Sequence, residues 1–196
     1  WFPFLHSGQF PQKNRLMVSG DTRSSADDGW ALEAFCEGST STVPFCFSLY
    51  AADGGAKEVV SVDFSTPATQ ATLHNIEHNQ HKPNVKNAKF ETLDQDAFEA
   101  LAQMKASGRL FDIVILDPPM FAQNQSQIET ALHAYRRLTH LGLGVLKRGG
   151  ILVQASCSSR VDADSFFDSI HQSAREAGRR LTEIERTGHA LDHPIN

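Results

Sequence analysis

Four short runs of β-branched and apolar residues are spaced along this chain with helix-patterned stretches between them. They are residues 30–35 (W-A-L-E-A-F), 58–63 (E-V-V-S-V-D), 111–116 (F-D-I-V-I-L) and 150–156 (G-I-L-V-Q-A-S). Runs that are apolar almost without a break suit strands buried on both faces, whereas a sheet with one wet face gives strict alternation. Between them, residues 67–79, 96–107, 126–146 and 162–177 carry apolar residues at helical spacing. Asp96 is expected to cap the second of these helices, with Glu99 three residues on, and Gly108 to end it. Strands alternating with helices predict an α/β fold, a mostly parallel sheet with helices on both faces, whose ligands bind beyond the carboxyl ends of the strands.

A chain of 196 residues buries enough surface for one domain without disulfide or metal staples. The polar, turn-rich residues 20–29 (G-D-T-R-S-S-A-D-D-G) read as a connector. The expected division is therefore an N-terminal arm and connector, residues 1–29, and an α/β domain, residues 30–196. The opening W-F-P-F-L-H lacks the basic start and cleavage site of a signal peptide, and is expected to be the edge of a larger protein. No apolar run approaches the ~20 residues that span a bilayer, so a soluble, cytoplasmic protein is expected. Three cysteines, Cys36, Cys46 and Cys157, form no C-x-x-C pair, which fits reduced thiols in a cytosolic compartment. His74, His78 and His81 fall near one helix end without carboxylate or thiol partners at ligand spacing, so no metal site is expected. The formal charge of −5 argues against a domain that grips nucleic acid by itself, so an RNA partner would need a local basic patch or a separate module. Oligomeric state leaves no trace in the sequence.

Polar residues gather at the strand ends: Glu33 and Cys36 at the first, Asp63 at the second, Asp117 at the fourth, Cys157 at the fifth. An acid closing the second strand of a Rossmann-type unit can accept both ribose hydroxyls of a nucleotide, and it can equally serve the start of the helix that follows. Asp63 has both readings. Asp96, after the third strand, is either a helix cap or an acceptor for an adenine amino group. In Asp117-Pro118-Pro119 two prolines make a stiff turn that holds the aspartate still, or that simply ends the strand. Cys157, in S-C-S-S, is either inert packing or a nucleophile facing the same crevice.

Several stretches carry a resemblance: F-S-L-Y-A-A-D-G-G-A-K-E-V-V-S-V-D-F-S (47–65), D-A-F-E-A-L (96–101), F-D-I-V-I-L-D-P-P-M-F-A (111–122), L-K-R-G-G-I-L-V-Q-A-S-C-S (146–158) and G-H-A-L-D-H-P-I (188–195). With F-P-Q-K-N-R (10–15), they are similar to the bacterial large-subunit ribosomal RNA methyltransferases that make 5-methylcytosine. The resemblance implies a Rossmann-like, class I methyltransferase fold with S-adenosylmethionine as cofactor and ribosomal RNA as partner. It implies Asp63 on the ribose with Phe64 beside it, Asp96 and Ala97 near the adenine, and Glu33, Phe35 and Gly38 on the turn after the first strand. Asp117 would lie between cofactor and target base, and Cys157 would be the nucleophile. Such proteins usually add an N-terminal RNA-binding module and a last strand pair, so the chain is expected to be a catalytic domain alone.

Two positions depart from that pattern. The turn after the first strand is usually glycine-rich, so that backbone can approach the cofactor. Here residues 33–46 read E-A-F-C-E-G-S-T-S-T-V-P-F-C, a longer stretch whose one glycine is Gly38, which predicts weaker cofactor binding. Met120 stands where lysine commonly follows D-P-P.

Cytosine C5 is a poor nucleophile, so its methylation calls for a thiolate that adds at C6 and turns C5 into an enamine carbon. Cys157 is expected to be that thiol, with a pKa brought below the ordinary ~8.5 by its site, helped by the N-terminus of the helix beyond it. Asp117 is expected to bond the base edge and act as an acid or orienting group. The alternatives are a base-nitrogen methyltransferase, whose D-P-P is typically followed by an aromatic residue rather than Met120, and a cofactor-deficient homologue that binds RNA or protein. A nicotinamide-dependent dehydrogenase is disfavoured, since no G-x-G-x-x-G follows the first strand.

Overall fold

A computed structural model describes residues 15–20 and 46–187. Among the described residues, five strands form one parallel sheet in the order β3-β2-β1-β4-β5: β1 Arg15–Gly20, β2 Glu58–Asp63, β3 Lys89–Asp94, β4 Phe111–Asp117 and β5 Leu146–Gln154. The helices among the described residues are α1 Cys46–Asp53, α2 Thr66–His78, α3 Pro83–Asn87, α4 Ala97–Ala106, α5 Ile128–Val145 and α6 Ala163–Glu176, with a 3-10 turn, Gln125–Gln127, leading into α5. This is the expected α/β architecture, a Rossmann-like fold. None of the described helices is long and apolar enough to cross a membrane.

The strict alternation of side chains along a strand sorts the core into two layers. Val60 and Val62 of β2 and Val114 and Leu116 of β4 pack with Leu101 of α4 and Leu138 of α5. Their neighbours Val59, Ile113 and Ile115 point the other way, onto Leu49 of α1, Ile76 of α2 and Val85 of α3. Buried side chains of this size each contribute about 1.5–3 kcal/mol, which is why β2 and β4 read as unbroken apolar runs. Ser61 falls among the apolar positions of the second layer, and its hydroxyl is satisfied there by Ser48 of α1 at 2.6 Å.

The strand between β2 and β4 is Arg15–Gly20, inside the segment that the sequence suggested was an arm. Residues 30–35, expected as the first strand, lie outside the described residues. The last strand begins at Leu146, earlier than expected, and a register irregularity opposite Phe111 and Ile113 accommodates Gly149, whose φ is +72°. At the amino edge of the sheet, Arg109 bridges Glu58 of β2 and Glu91 of β3.

Helix α4 has both expected ends. The Asp96 side chain accepts from the N–H groups of Phe98 and Glu99. At the other end, the Gly108 N–H donates to Lys105 O at 3.1 Å and the Arg109 N–H to Met104 O at 2.9 Å, with Gly108 at φ +69°. That paired arrangement requires a left-handed residue. A Cβ at Gly108 meets nothing within 4 Å, so Gly108→Ala isolates the backbone cost. Urea unfolding is expected to show a loss of about 1 kcal/mol for Gly108→Ala and a smaller one for Gly108→Asn, which tolerates this conformation; equal stabilities would place the helix end elsewhere.

Candidate active site

Strand order reverses its progression between β1 and β4, the point at which open α/β sheets carry their ligand crevice beyond the carboxyl ends of the strands. Gly20, the last residue of β1, is in register with Asp117, the last of β4. Asp63 and Asp94, which end β2 and β3, are likewise in register. Three carboxylates therefore lie along one rim, with Asp96 just beyond. Asp94 was not singled out from the sequence, because its strand, K-F-E-T-L-D, is too polar to stand out; its carboxylate accepts the Thr69 hydroxyl.

On this side of the crevice, Asp63 is 1 % exposed, and its Oδ1 accepts the Ser65 N–H at 2.6 Å, just ahead of α2. Phe64 beside it is exposed. The exposed Asp96 uses Oδ1 for the Phe98 N–H at 2.9 Å and the Glu99 N–H at 3.2 Å, and Ala97, half-buried, opens α4. Carboxylates to accept hydroxyl and amino protons, flanking an exposed ring, are the groups that could hold an adenosine, so the donor set fits a nucleoside-bearing cofactor. Glu33, Phe35 and Gly38 lie outside the described residues, as does Cys36. Among the described residues no three His, Cys, Asp or Glu side chains cluster as metal ligands.

Across the crevice, the turn Asp117-Pro118-Pro119 leads to an exposed Met120 and then to Phe121 and Ala122, which pack toward α5. The chain leaves β5 with the Ala155 N–H still donating to Leu116 O at 2.9 Å, so the loop bearing Cys157 starts beside Asp117. Burial pushes the Asp117 carboxyl up to about 6. Burial, reinforced by the negative charge of Asp117, pushes the Cys157 thiol up to about 11. The structure thus brings Asp117 and Cys157 within electrostatic reach of each other. It does not supply the lowered thiol expected from the sequence: α6 starts only at Ala163, and its first turn is already capped by Asp162, which accepts from the Ser165 N–H.

Tyr135 of α5 is a third member of this group that the sequence did not reveal. It is fully buried; burial holds its phenol above the ordinary value, the Ser156 and Ser158 hydroxyls pull it down, and the charges of Cys157 and Asp117 raise it further. Its place inside a helix-periodic apolar stripe gave no signal that its hydroxyl meets the serines on either side of Cys157.

A carboxyl whose pKa is raised on folding, here from 3.8 to about 6, binds its proton more tightly in the folded state. Its stabilisation is complete below about pH 4 and is lost as pH rises through about 6. Urea melts are expected to show wild type losing up to about 2 kcal/mol relative to Asp117→Asn between pH 4 and 6.5. Parallel profiles for the two proteins would mean that the Asp117 carboxyl is not desolvated.

Comparison with known proteins gives a family and a fold. The family model described as "Conserved hypothetical protein 95" matches residues 31–166. A ribosomal RNA large subunit methyltransferase I of Pseudoalteromonas translucida is 38 % identical over 173 residues, covering 86 % of this chain and 43 % of the relative. A ribosomal RNA large subunit methyltransferase of Deinococcus radiodurans is 43 % identical over 147 residues, covering 75 % and 35 %. The chain thus spans less than half the length of these curated relatives. Among solved structures, SMU.776, described as a methyltransferase complexed with SAH, superposes with a TM-score of 0.68 at 21 % identity, covering 97 % of this chain and 42 % of that one. The match over residues 31–166 shows that the chain belongs to the family described as "Conserved hypothetical protein 95".

Proposed function

We propose that this domain transfers a methyl group from S-adenosylmethionine to C5 of a cytosine in large-subunit ribosomal RNA, with Cys157 as nucleophile and Asp117 as acid. The observation that carries this reading is a carboxyl at the end of β4 and a thiol on the loop just beyond β5, near enough for the charge of one to act on the other, beside the switch point of a Rossmann-like fold. The names of the Pseudoalteromonas translucida and Deinococcus radiodurans relatives support the substrate class, and the SAH complex of SMU.776 supports the cofactor. The cofactor supplies an electrophilic methyl on a cationic sulfonium. Asp63, Phe64, Asp96 and Ala97 would hold its adenosyl part, with Glu33, Phe35 and Gly38 assigned to its remaining contacts.

The protein's own part in the chemistry follows from the two ionisations. Cys157 must lose its proton before its sulfur adds to C6, and burial opposes that loss. Any cation entering the crevice favours the ionised forms of both residues. Passage of the thiol proton to the Asp117 carboxylate would form the nucleophile and the acid together, and a carboxyl near 6 can hand that proton on to N3 of the base as the sulfur adds, which leaves C5 electron-rich for methyl transfer. Return of the N3 proton to Asp117 and removal of the C5 proton by a base then expel the Cys157 sulfur and restore the ring. With a net charge of −5, the chain would depend on a separate RNA-binding module or a local basic patch for affinity, and its isolated binding to RNA would fall steeply with salt.

Two measurements test the reading. Calorimetric titration is expected to show S-adenosylmethionine binding that survives Cys157→Ala; no binding to the wild-type chain would favour a cofactor-deficient binding module. RNA containing 5-fluorocytosine is expected to trap a covalent adduct with the wild-type protein and none with Cys157→Ala, because a C5 fluorine cannot leave as a proton. Undiminished transfer by Cys157→Ala would overturn the cysteine route in favour of methylation at a base nitrogen, which needs no thiol.

A further inference from the structure

The proposed chemistry leaves one polar group of the site without a task, the hydroxyl of Tyr135. Among the described residues this is the bulkiest fully buried side chain, and its ring is held by Phe121, with centroids 5.0 Å apart, and by Phe166, 4.9 Å apart and edge-on. A phenylalanine would pack there equally well. A buried hydroxyl is costly unless it is bonded, and this one directs its side-chain bonds to a single loop. The Tyr135 hydroxyl and Ser156 Oγ are 2.7 Å apart, a contact in which either can donate, and the Tyr135 hydroxyl also reaches Ser158 Oγ at 3.4 Å. Cys157 lies between those two serines. Ser156 Oγ also accepts the Ser158 N–H at 3.2 Å, and Ser158 Oγ accepts the Ala122 N–H at 3.1 Å. Ala122 belongs to the turn that begins at Asp117.

We propose that Tyr135 is a positioning residue for methyl transfer: its hydroxyl, acting through Ser156 and Ser158, sets the place of Cys157 and ties it to the turn that carries Asp117. The proposal rests on the cysteine route above for its effect on catalysis, but its effect on the loop stands apart from that route. Beyond Ala155 the chain has left the sheet, so strand pairing no longer holds it. The serine hydroxyls that flank Cys157 take over, and Tyr135, anchored in α5 between two rings, is the fixed point to which they bond. Ser158 is shared between the two loops. Movement of the Cys157 loop is therefore passed to the Asp117 turn.

The test uses the full chain and Tyr135→Phe, which keeps the ring and removes the hydroxyl. The expected result is a fall in kcat on the order of 10²-fold, since a small misplacement of a reacting group costs about that much. The RNA KM and the S-adenosylmethionine affinity are expected to stay within about twofold. Alkylation of Cys157 by iodoacetamide, followed by mass spectrometry, is expected to quicken as the loop loosens. Ser156→Ala should act alike, and the double variant should lose less than the product of the two single losses, because the two substitutions share the Tyr135–Ser156 hydrogen bond. Ile170→Val, a mild packing loss in the same aromatic cluster, should leave kcat and alkylation unchanged. Wild-type kcat and alkylation in Tyr135→Phe would overturn the proposal, as would equal changes in Ile170→Val. Transfer that survives Cys157→Ala would instead remove the cysteine route, and the alkylation rates would then decide alone whether Tyr135 sets the loop.

Discussion

Strand β4 takes ladder hydrogen bonds from β1 on one side and β5 on the other, while its side chains go alternately to the two helical layers. Backbone and side chains are both committed, so the carboxyl end of the strand cannot shift toward water without breaking the sheet. Asp117 occupies that end. Its partner across one ladder is Gly20, and the other ladder runs on through the Ala155 N–H before the chain turns to Cys157. Two prolines follow Asp117 and remove the N–H groups that might have solvated its carboxylate from the chain ahead. The location of the site and its dryness have the same cause.

That dryness acts on both ionisable groups in the same direction. Burial disfavours each anion, and each anion disfavours the other, so the pair carries one negative charge rather than two near neutrality. With the carboxyl near 6 and the thiol near 11, the resting form is a carboxylate beside a protonated thiol. A protonated thiol is a poor target for oxidants. The helix-dipole activation suggested by the sequence is not available, because Asp162 stands at the α6 terminus in its place.

The elements legible in the sequence were those whose own residues carry the signal. Glu58–Asp63 and Phe111–Asp117 are buried on both faces and read as apolar runs; α4 announces both its cap and its closing glycine. Lys89–Asp94 is a strand only because it pairs with β2, and its lysine and two acids reflect an exposed sheet edge. Arg15–Gly20 carries a basic residue and a serine and sits next to a polar, turn-rich stretch, so local composition favoured an arm over a central strand. Asp117 and Cys157 were legible as strand-end residues. Tyr135 was not, because its role depends on which residues face it from a loop about twenty positions away in sequence, and helical periodicity reports only that it is buried.

The acids on the cofactor side show why two readings of one residue need not compete. The sequence offers two readings of Asp96, helix cap or ligand acceptor, and the structure has its Oδ1 on two backbone N–H groups at the start of α4. Capping fixes the side-chain rotamer in the absence of any ligand. A hydrogen bond made later to an amino group would then carry little loss of side-chain entropy, which is the advantage of preorganisation. Asp63 is held in the same way by the Ser65 N–H, and its deeper burial makes the electrostatic field it offers stronger than that of a solvated carboxylate. The local hydrogen bonds that hold the helix starts in place are thus also what would make these carboxylates rigid enough to recognise a nucleoside.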